Sequence, residues 1–490
     1  MTVADTFLLD SDTNERLALL HDSANEAELT RLLGQQGYRE LRAVADRRFA
    51  GQHLAQKPKN MIFVPGIMGT LLKNDSRGGI WWIDVRTRDY IDQLGLAPDG
   101  RTDADGERNI EPVTADPSYI PFLSAAAAEP GVGHEIFAYD WRKSLDQSAD
   151  DLRDRVLKLH RDNGGKEIHL VGHSLGGLMI RTALMIHGDE IWPRIGKIVF
   201  IGTPHYGSAS IAGYLKNHLW GFELMALLGN YLSRETLRSL WGVINLLPAP
   251  RGVYPGTRPD DAHPWQSDTS DDPYIHPCAN FDLYQADAWK LELDATAKAN
   301  LQRVLDATAD YYIRMLQAHR ALDQEQRNRM VVIAGVGFKT LFRLAYAPGF
   351  LGLWEKTTKV FDIIEGDVHR QGDGRVPLAS AELEHVGAIR YVRGVHGSLP
   401  NIPAVYQDVF RFLKGEKMQL PATPAGALST HLGPSTASDA PHIDGSARAP
   451  AFSDDPGLWA LDAPTVERMN SLEAMLKAGD LPDFSRLHLL

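Results

Sequence analysis

Ser174 lies in the run KEIHLVGHSLGGLMIR, residues 166–181, at the centre of a Gly-x-Ser-x-Gly pentapeptide. A serine hydroxyl is almost wholly protonated at neutral pH. It attacks a carbonyl only with a base in hydrogen-bond reach and an acid to orient that base. Candidates for both follow in the chain: Asp373, between Gly372 and Gly374, and His396, before Gly397. Each falls on a loop after a predicted strand, where glycine lets the chain turn sharply. His369 and His385 compete for the base, and Asp362 and Asp367 for the acid. Chain order and placement behind the pentapeptide favour Asp373 and His396. The chemistry these three residue types predict is acyl transfer through a covalent acyl-enzyme.

Elements must hold those side chains. The apolar run Ile168 to Val171 is long enough for one buried strand, and Leu178, Met179 and Ile180 read as a helix. Strand, Gly-x-Ser-x-Gly turn and helix together make a nucleophile elbow. Gly172 and Gly176 are small where strand and helix converge, and Ser174 is expected in a strained conformation facing the reacting group. A glycine-rich strand-to-helix turn that merely contains serine uses the same residues, but the flanking pattern argues for the elbow. MIFVPGIMGTLL, residues 61–72, predicts a strand ending at Pro65-Gly66. In such an architecture the following loop supplies one backbone N–H of an oxyanion hole. Ile67 is the candidate there, with Leu175 as the second donor. The expected fold class is α/β, an α/β-hydrolase fold: a mostly parallel sheet flanked by helices, with a lid insertion.

The remaining segments are arranged around that centre. Residues 1–55 predict a helical extension, with Leu17, Leu20, Leu29, Leu32, Leu33, Leu41 and Val44 at broadly helical spacing, broken near Gly34 and Gly37. Residues 56–415 form the expected catalytic domain. Within it, 98–118 read as a polar surface excursion and Phe137 to Arg142 as a short strand, on which Asp140 and Arg142 share a face and form a structural pair. Leu152, Val156 and Leu159 mark an amphipathic helix. Lys197 to Gly202 predict a strand leading into Thr203-Pro-His-Tyr-Gly-Ser208, a wall beside the nucleophile. Met68, His173, His205, Tyr206 and Trp141 are candidate substrate contacts, although turn geometry accounts for His205 equally well.

From about 209 to 330 the chain turns apolar and aromatic (Leu219, Trp220, Phe222, Leu240, Trp241), passes a Pro/Asp-rich loop, and ends in a helical stretch near 287–322. This reads as a lid that packs on itself and offers apolar surface to an acyl chain. The sheet is expected to resume at Val331 to Ala334 and at Val360 to Ile364, followed by a strand at Ala388 to Val392. A last helix, Ile402 to Leu413, places Val405, Val409 and Phe412 on one face. Residues 416–457, rich in Pro, Ala, Ser, Thr and Gly, predict a flexible linker, and 458–490 a small helical tail.

Composition narrows the function further. A formal charge of −12 over 490 residues argues against nucleic acid and against electrostatic capture by anionic membranes, while leaving peripheral contact through an apolar lid open. The single cysteine, Cys278, forms no intramolecular disulfide. No basic-then-apolar leader and no bilayer-length apolar run occur, so the expected location is cytoplasmic. No Cys/His cluster, His-Glu-x-x-His, P-loop or dinucleotide fingerprint is present, and no metal or cofactor is predicted.

Taken in order, VPGIMGTLL, YDWR, GHSLGGL, TPHYGS, GDGRVP and the VHG-containing loop resemble the lecithin:cholesterol acyltransferase-like family, with lysosomal phospholipase A2 and the phospholipid:diacylglycerol acyltransferases. The resemblance covers roughly residues 60–415; its YDWR and Pro-Gly-x-x-Gly segments are more specific than GHSLGG. It implies Ser174 as nucleophile, Asp373 and His396 as partners, Ile67 and Leu175 as oxyanion donors, and acyl transfer from a lipid ester. Three departures stand out: the secreted eukaryotic members have disulfides, whereas this chain has one cysteine; the residue after Pro65-Gly66 is Ile67; and the lid sequence does not follow the family's pattern. Three functions follow as expectations: a lipase-like serine hydrolase, a lipid O-acyltransferase, and a hydrolase-fold scaffold whose terminal extensions hold a protein partner.

Overall fold

The computed structural model describes Val3, Thr6 and Phe7 and residues 13–50, 59–74, 80–82, 85–104, 106, 110–215, 233–259, 281–338, 340, 343–348, 354–360 and 372–429. Its centre is a six-stranded parallel sheet. The chain forms β1 (Met61–Val64), β2 (Thr70–Asn74), β3 (Ile80–Trp82), β4 (Ile110–Ala115), β5 (His134–Ile136), β6 (Ile168–His173), β7 (Ile195–Ile201), β8 (Met330–Val336), β9 (Arg343–Pro348), β10 (Trp354–Val360) and β11 (Ala388–Arg393). Strand order in the main sheet is β11-β8-β7-β6-β1-β5. β2 pairs antiparallel with β3 and β4, and β9 with β10, as two small separate sheets.

Both faces of the main sheet are apolar, as a parallel sheet covered by helices requires. Alternate residues feed two cores. Ile62 and Val64, Ile168 and Leu170, Ile198 and Phe200, and Val332 and Ala334 face one. Met61 and Phe63, Val171, Val199 and Ile201, and Val331 and Ile333 face the other. The helices include α1 (Thr13–His21), α2 (Glu26–Ala50), α3 (Ile120–Ala128), α4 (Ala149–Asp162), α5 (Leu175–Ile191), α6 (Ala295–Ala321), α7 (Pro403–Lys414) and α8 (Pro424–Ser429). Helices α4, α5 and α6 cover the first face. Leu152, Val156 and Leu159 point inward from α4, at the predicted spacing. Helices α3 and α7 cover the second. Helices α1 and α2 pack on Ile120 and Ala127 of α3, so the N-terminal extension rests on the body.

Several expectations are corrected. Helix α2 runs unbroken through Gly34 and Gly37; the break lies at Asp22, whose carboxylate accepts from the Ala24 N–H (2.9 Å). Tertiary packing of Leu29, Leu32, Leu41 and Val44 outweighs the roughly 1 kcal/mol each glycine costs a helix. The fifth strand is His134–Ile136, and Phe137 to Arg142 is irregular, because the Arg142 guanidinium bends back to bond Asp140 twice, at 2.9 and 2.7 Å. The 98–118 excursion contributes β4 to the small sheet. Val360 closes β10, outside the main sheet; 361–364 lie outside the described residues. On α7 Val405, Val409, Phe410 and Leu413 are buried, and Phe412 packs half-buried against the same core.

The segment called a lid divides. Residues 216–232 and 260–280 lie outside the described set, whereas α6 is part of the body, burying Leu301, Val304, Tyr311 and Tyr312 against the sheet-covering helices. Residues 416–429 are not a free linker. Asp408, fully buried, accepts from the Gln419 and Leu420 N–H groups (2.7 and 2.6 Å), and Met418 and Leu420 join the core. The remainder of the predicted linker and the tail 458–490 lie outside the described residues.

Candidate active site

Four strands deliver the site from their C-terminal ends. β1 opens into the loop 65–69, β6 into Ser174, β8 toward Asp373 and β11 into His396. Among the main-sheet strands β1 leads on to β5 on one side, whereas its neighbour β6 leads on to β7 on the other, so the connections diverge between β1 and β6. A crevice at the carboxyl ends of the strands is the usual consequence of such a switch.

The elbow is tight because two glycines permit it. A Cβ on Gly176 would stand 2.1 Å from the Val64 carbonyl oxygen, and one on Gly172 2.7 Å from the Gly177 nitrogen. Ser174 takes φ 52°, ψ −125°, a conformation L-residues avoid, and precedes the first residue of α5. Its N–H donates to the Ile201 carbonyl on β7 (2.9 Å), which locks the turn to the sheet.

Ser174, His396 and Asp373 meet across more than 200 residues of chain. His396 Nε2 lies 2.8 Å from Ser174 Oγ, and His396 Nδ1 lies 2.7 Å from Asp373 Oδ2. Asp373 Oδ1 accepts from the Arg375 and Val376 N–H groups (3.0 and 2.7 Å), so both carboxylate oxygens have donors although the residue is buried. With Nδ1–H directed at the carboxylate, Nε2 is the atom free to take the serine proton. Gly374, at φ 91°, lets the chain reverse after Asp373. The 361–371 segment, with His369, Asp362 and Asp367, lies outside the described residues, and His385 is exposed.

On the other side of Ser174, Gly69 N–H donates to the Gly66 carbonyl (3.1 Å) and closes a turn with Ile67 and Met68 at its centre. Met68 has φ 55°, and its carbonyl accepts from Trp82 Nε1 (2.9 Å). Such a turn consumes the N–H of its last residue and not that of its second, Ile67. Leu175 opens α5, where the first N–H groups have no partner within the helix.

Beside Ser174 a pocket holds about 480 Å³ of space, its open mouth included, lined by Ile67, Met68, Pro204, Ile211, Val243, Leu246 and Val376, with Ser208, Ser210, Arg375 and His396. Ser208 Oγ donates to the Arg375 carbonyl (2.6 Å) and Ser380 Oγ to the Gly207 carbonyl (2.5 Å), tying the loop after β7 to the Asp373 loop.

Of the predicted substrate contacts, Met68 lines this pocket. The other four do not, because each is buried in packing or hydrogen bonding elsewhere. Trp141 Nε1 donates to the Thr70 carbonyl (3.1 Å) and its ring meets Trp82 edge-on. His205 stands edge-on to Phe200 and under Arg181. Tyr206 packs with Tyr254. His173 is bonded at both ring nitrogens, to Tyr119 and to the His396 carbonyl. Ile211, Val243, Leu246 and Val376 reach the pocket from distant segments, and no local pattern distinguishes them from core residues. Among the described residues, no group of three or more His, Cys, Asp or Glu side chains could hold a metal ion.

Residues 113–338 match the family described as Alpha/beta hydrolase family. The chain is 26% identical over 208 residues to Lecithin-cholesterol acyltransferase-like 4 of Arabidopsis thaliana, spanning 41% of this chain and 33% of that protein. It is 27% identical over 74 residues to Phospholipase A(1) LCAT3 of the same plant, 15% of this chain and 17% of that one. The matches thus span a third or less of these curated relatives. Among solved structures, the Tle4–Tli4 complex aligns at a TM-score of 0.44 and 16% identity, covering 72% of this chain and 96% of that one. The fold is that of the α/β hydrolases. Within that fold, the chain resembles lipase-type members, the lecithin:cholesterol acyltransferase-like proteins among them.

Proposed function

We propose that the protein is a serine esterase that cleaves carboxylic esters of lipids through an acyl-enzyme. The observation that carries this reading is the hydrogen-bonded chain Asp373–His396–Ser174 beside an apolar pocket. Ser174 Oγ attacks the ester carbonyl carbon while His396 Nε2 takes its proton. Asp373 holds the imidazole in orientation and stabilises its charged form. The carbonyl oxygen becomes an oxyanion between the Ile67 and Leu175 N–H groups. His396 then protonates the departing alkoxide, and the acyl group remains on Ser174. Water enters, gives one proton to His396 and attacks the acyl carbon; the adduct then collapses, Ser174 Oγ leaves with that proton from His396, and the acid is released.

The apolar lining suits an acyl chain better than a polar alcohol. The lipid-ester substrate also agrees with the names of the partial relatives. Replacing water by an alcohol in the second half turns the same intermediate into an acyltransferase.

The test is hydrolysis of p-nitrophenyl esters of graded chain length by wild type and Ser174→Ala, followed by product analysis with a long-chain alcohol present. Turnover that rises with chain length and vanishes in the variant is expected. Activity surviving Ser174→Ala at the wild-type level would sink the reading. Ester product in the presence of the alcohol assigns the transferase route.

A further inference from the structure

Behind the triad lies a second hydrogen-bonded chain. The Tyr119 hydroxyl accepts from the Gly66 N–H (2.9 Å) and lies 2.7 Å from His173 Nδ1. His173 Nε2 lies 3.1 Å from the His396 carbonyl oxygen. A carbonyl has no proton to give, so Nε2 carries the hydrogen. Nδ1 of a neutral imidazole is then an acceptor, and the Tyr119 hydroxyl donates to it. Every donor and acceptor is used once, and Tyr119 and His173 are 4% and 2% exposed. Burial holds His173 well below the usual histidine value, which keeps the ring neutral.

The chain joins places that the mechanism needs in fixed register. Gly66 precedes Ile67, the proposed oxyanion donor. His173 precedes Ser174. The His396 backbone is held on both sides, its N–H donating to the Asp373 carbonyl (2.9 Å) and its carbonyl accepting from His173. Close approach is built in: a Cβ on Gly66 would stand 2.9 Å from Ser174 Cβ and 3.2 Å from the Tyr119 hydroxyl.

We propose that His173, held as the Nε2–H tautomer by Tyr119, is a positioning residue that registers the base His396 against the oxyanion loop. Neither residue lines the pocket, so the pair acts on the chemical step rather than on substrate binding. The inference rests on the serine-esterase reading.

The experiment measures kcat and KM on a p-nitrophenyl ester for wild type, His173→Met, His173→Gln and Tyr119→Phe. It is paired with nitrogen NMR of the imidazoles in the full chain. Misplacement of a reacting group by about 1 Å costs on the order of 100-fold. The expected result is a fall in kcat of roughly 10- to 100-fold in His173→Met with KM unchanged. His173→Gln, whose amide nitrogen can replace Nε2–H, should recover much of the loss. Tyr119→Phe, which keeps the ring and its packing, should lower kcat and shift the His173 tautomer signal. Active wild type with unchanged kcat in folded His173→Met or Tyr119→Phe would overturn this inference alone, as would an Nδ1–H tautomer at His173. A wild type without ester turnover would sink the hydrolase reading and this inference with it.

Discussion

Ser174 at φ 52° and Met68 at φ 55° both line the pocket, each costing on the order of 1–3 kcal/mol of backbone strain. Strained residues persist where surroundings over-determine them, here through the Ile201 carbonyl and Trp82 Nε1. Removing the Ser174 hydroxyl keeps this framework and should reduce ester turnover to background. Asp373→Asn should lower kcat about 10⁴-fold, because the amide no longer holds His396 in the right tautomer; stopped-flow or long-time assays on the purified variant measure it. The Ile67 donor is a backbone N–H, so only removing that N–H tests it. A turn whose third residue has positive φ accepts proline at the second position. Ile67→Pro should therefore fold, with wild-type circular dichroism, and lose about 10²–10³-fold in kcat. At this scale the sequence was most legible for residues carried by a local signature. Ser174 sits in a strand–turn–helix pattern, and Asp373 and His396 follow in order on glycine-flanked loops. Tyr119 carries no such signal, because its partners His173 and Gly66 lie 54 and 53 residues away.

Elements were legible where periodicity was clean and burial two-sided, as in β6, β7, β8, α4 and α5. They were misplaced where a side chain overrode the pattern. The Tyr139–Arg142 stretch alternates like a strand, yet Arg142 also bonds the Leu94 carbonyl (2.9 Å) and pairs with Asp103 (2.8 Å), folding the segment into a buried ion cluster. Arg142→Met leaves Asp140 and Asp103 buried without that cation. It should cost about 3–5 kcal/mol in urea unfolding, with kcat of the folded enzyme unchanged. Composition likewise misjudged 416–429: Pro, Ala and Thr suggest a linker, but Asp408 binds the Gln419 and Leu420 amides and α8 packs beside β8 and β11. Truncation after 415 should lower the thermal midpoint by several degrees relative to truncation after 429, since it strips a buried carboxylate of its amide donors.

For the molecule as a whole, stability in acid follows from its buried histidines. Burial holds His173 and His205 well below the usual histidine value, and burial with the neighbouring Lys197 and Arg181 brings His169 and His319 to about 4. Such groups stay neutral in the folded chain and take protons when it unfolds. Their contribution is complete above pH about 6.5 and is lost as pH falls toward 4, each adding a slope of up to about 1.4 kcal/mol per pH unit. Asp116 and Asp151, raised by burial and the latter also by Asp150, work in the opposite direction but are two groups against four. The thermal midpoint should fall steadily between pH 6.5 and 4.5; a flat profile would contradict neutral burial. The intact protein offers the most direct test of the proposed nucleophile. Incubation with a fluorophosphonate, followed by intact mass and peptide mapping, should show one equivalent of label on Ser174, none in Ser174→Ala and slow labelling in His396→Ala. A folded wild-type chain that takes no label, or takes it elsewhere, would contradict the account.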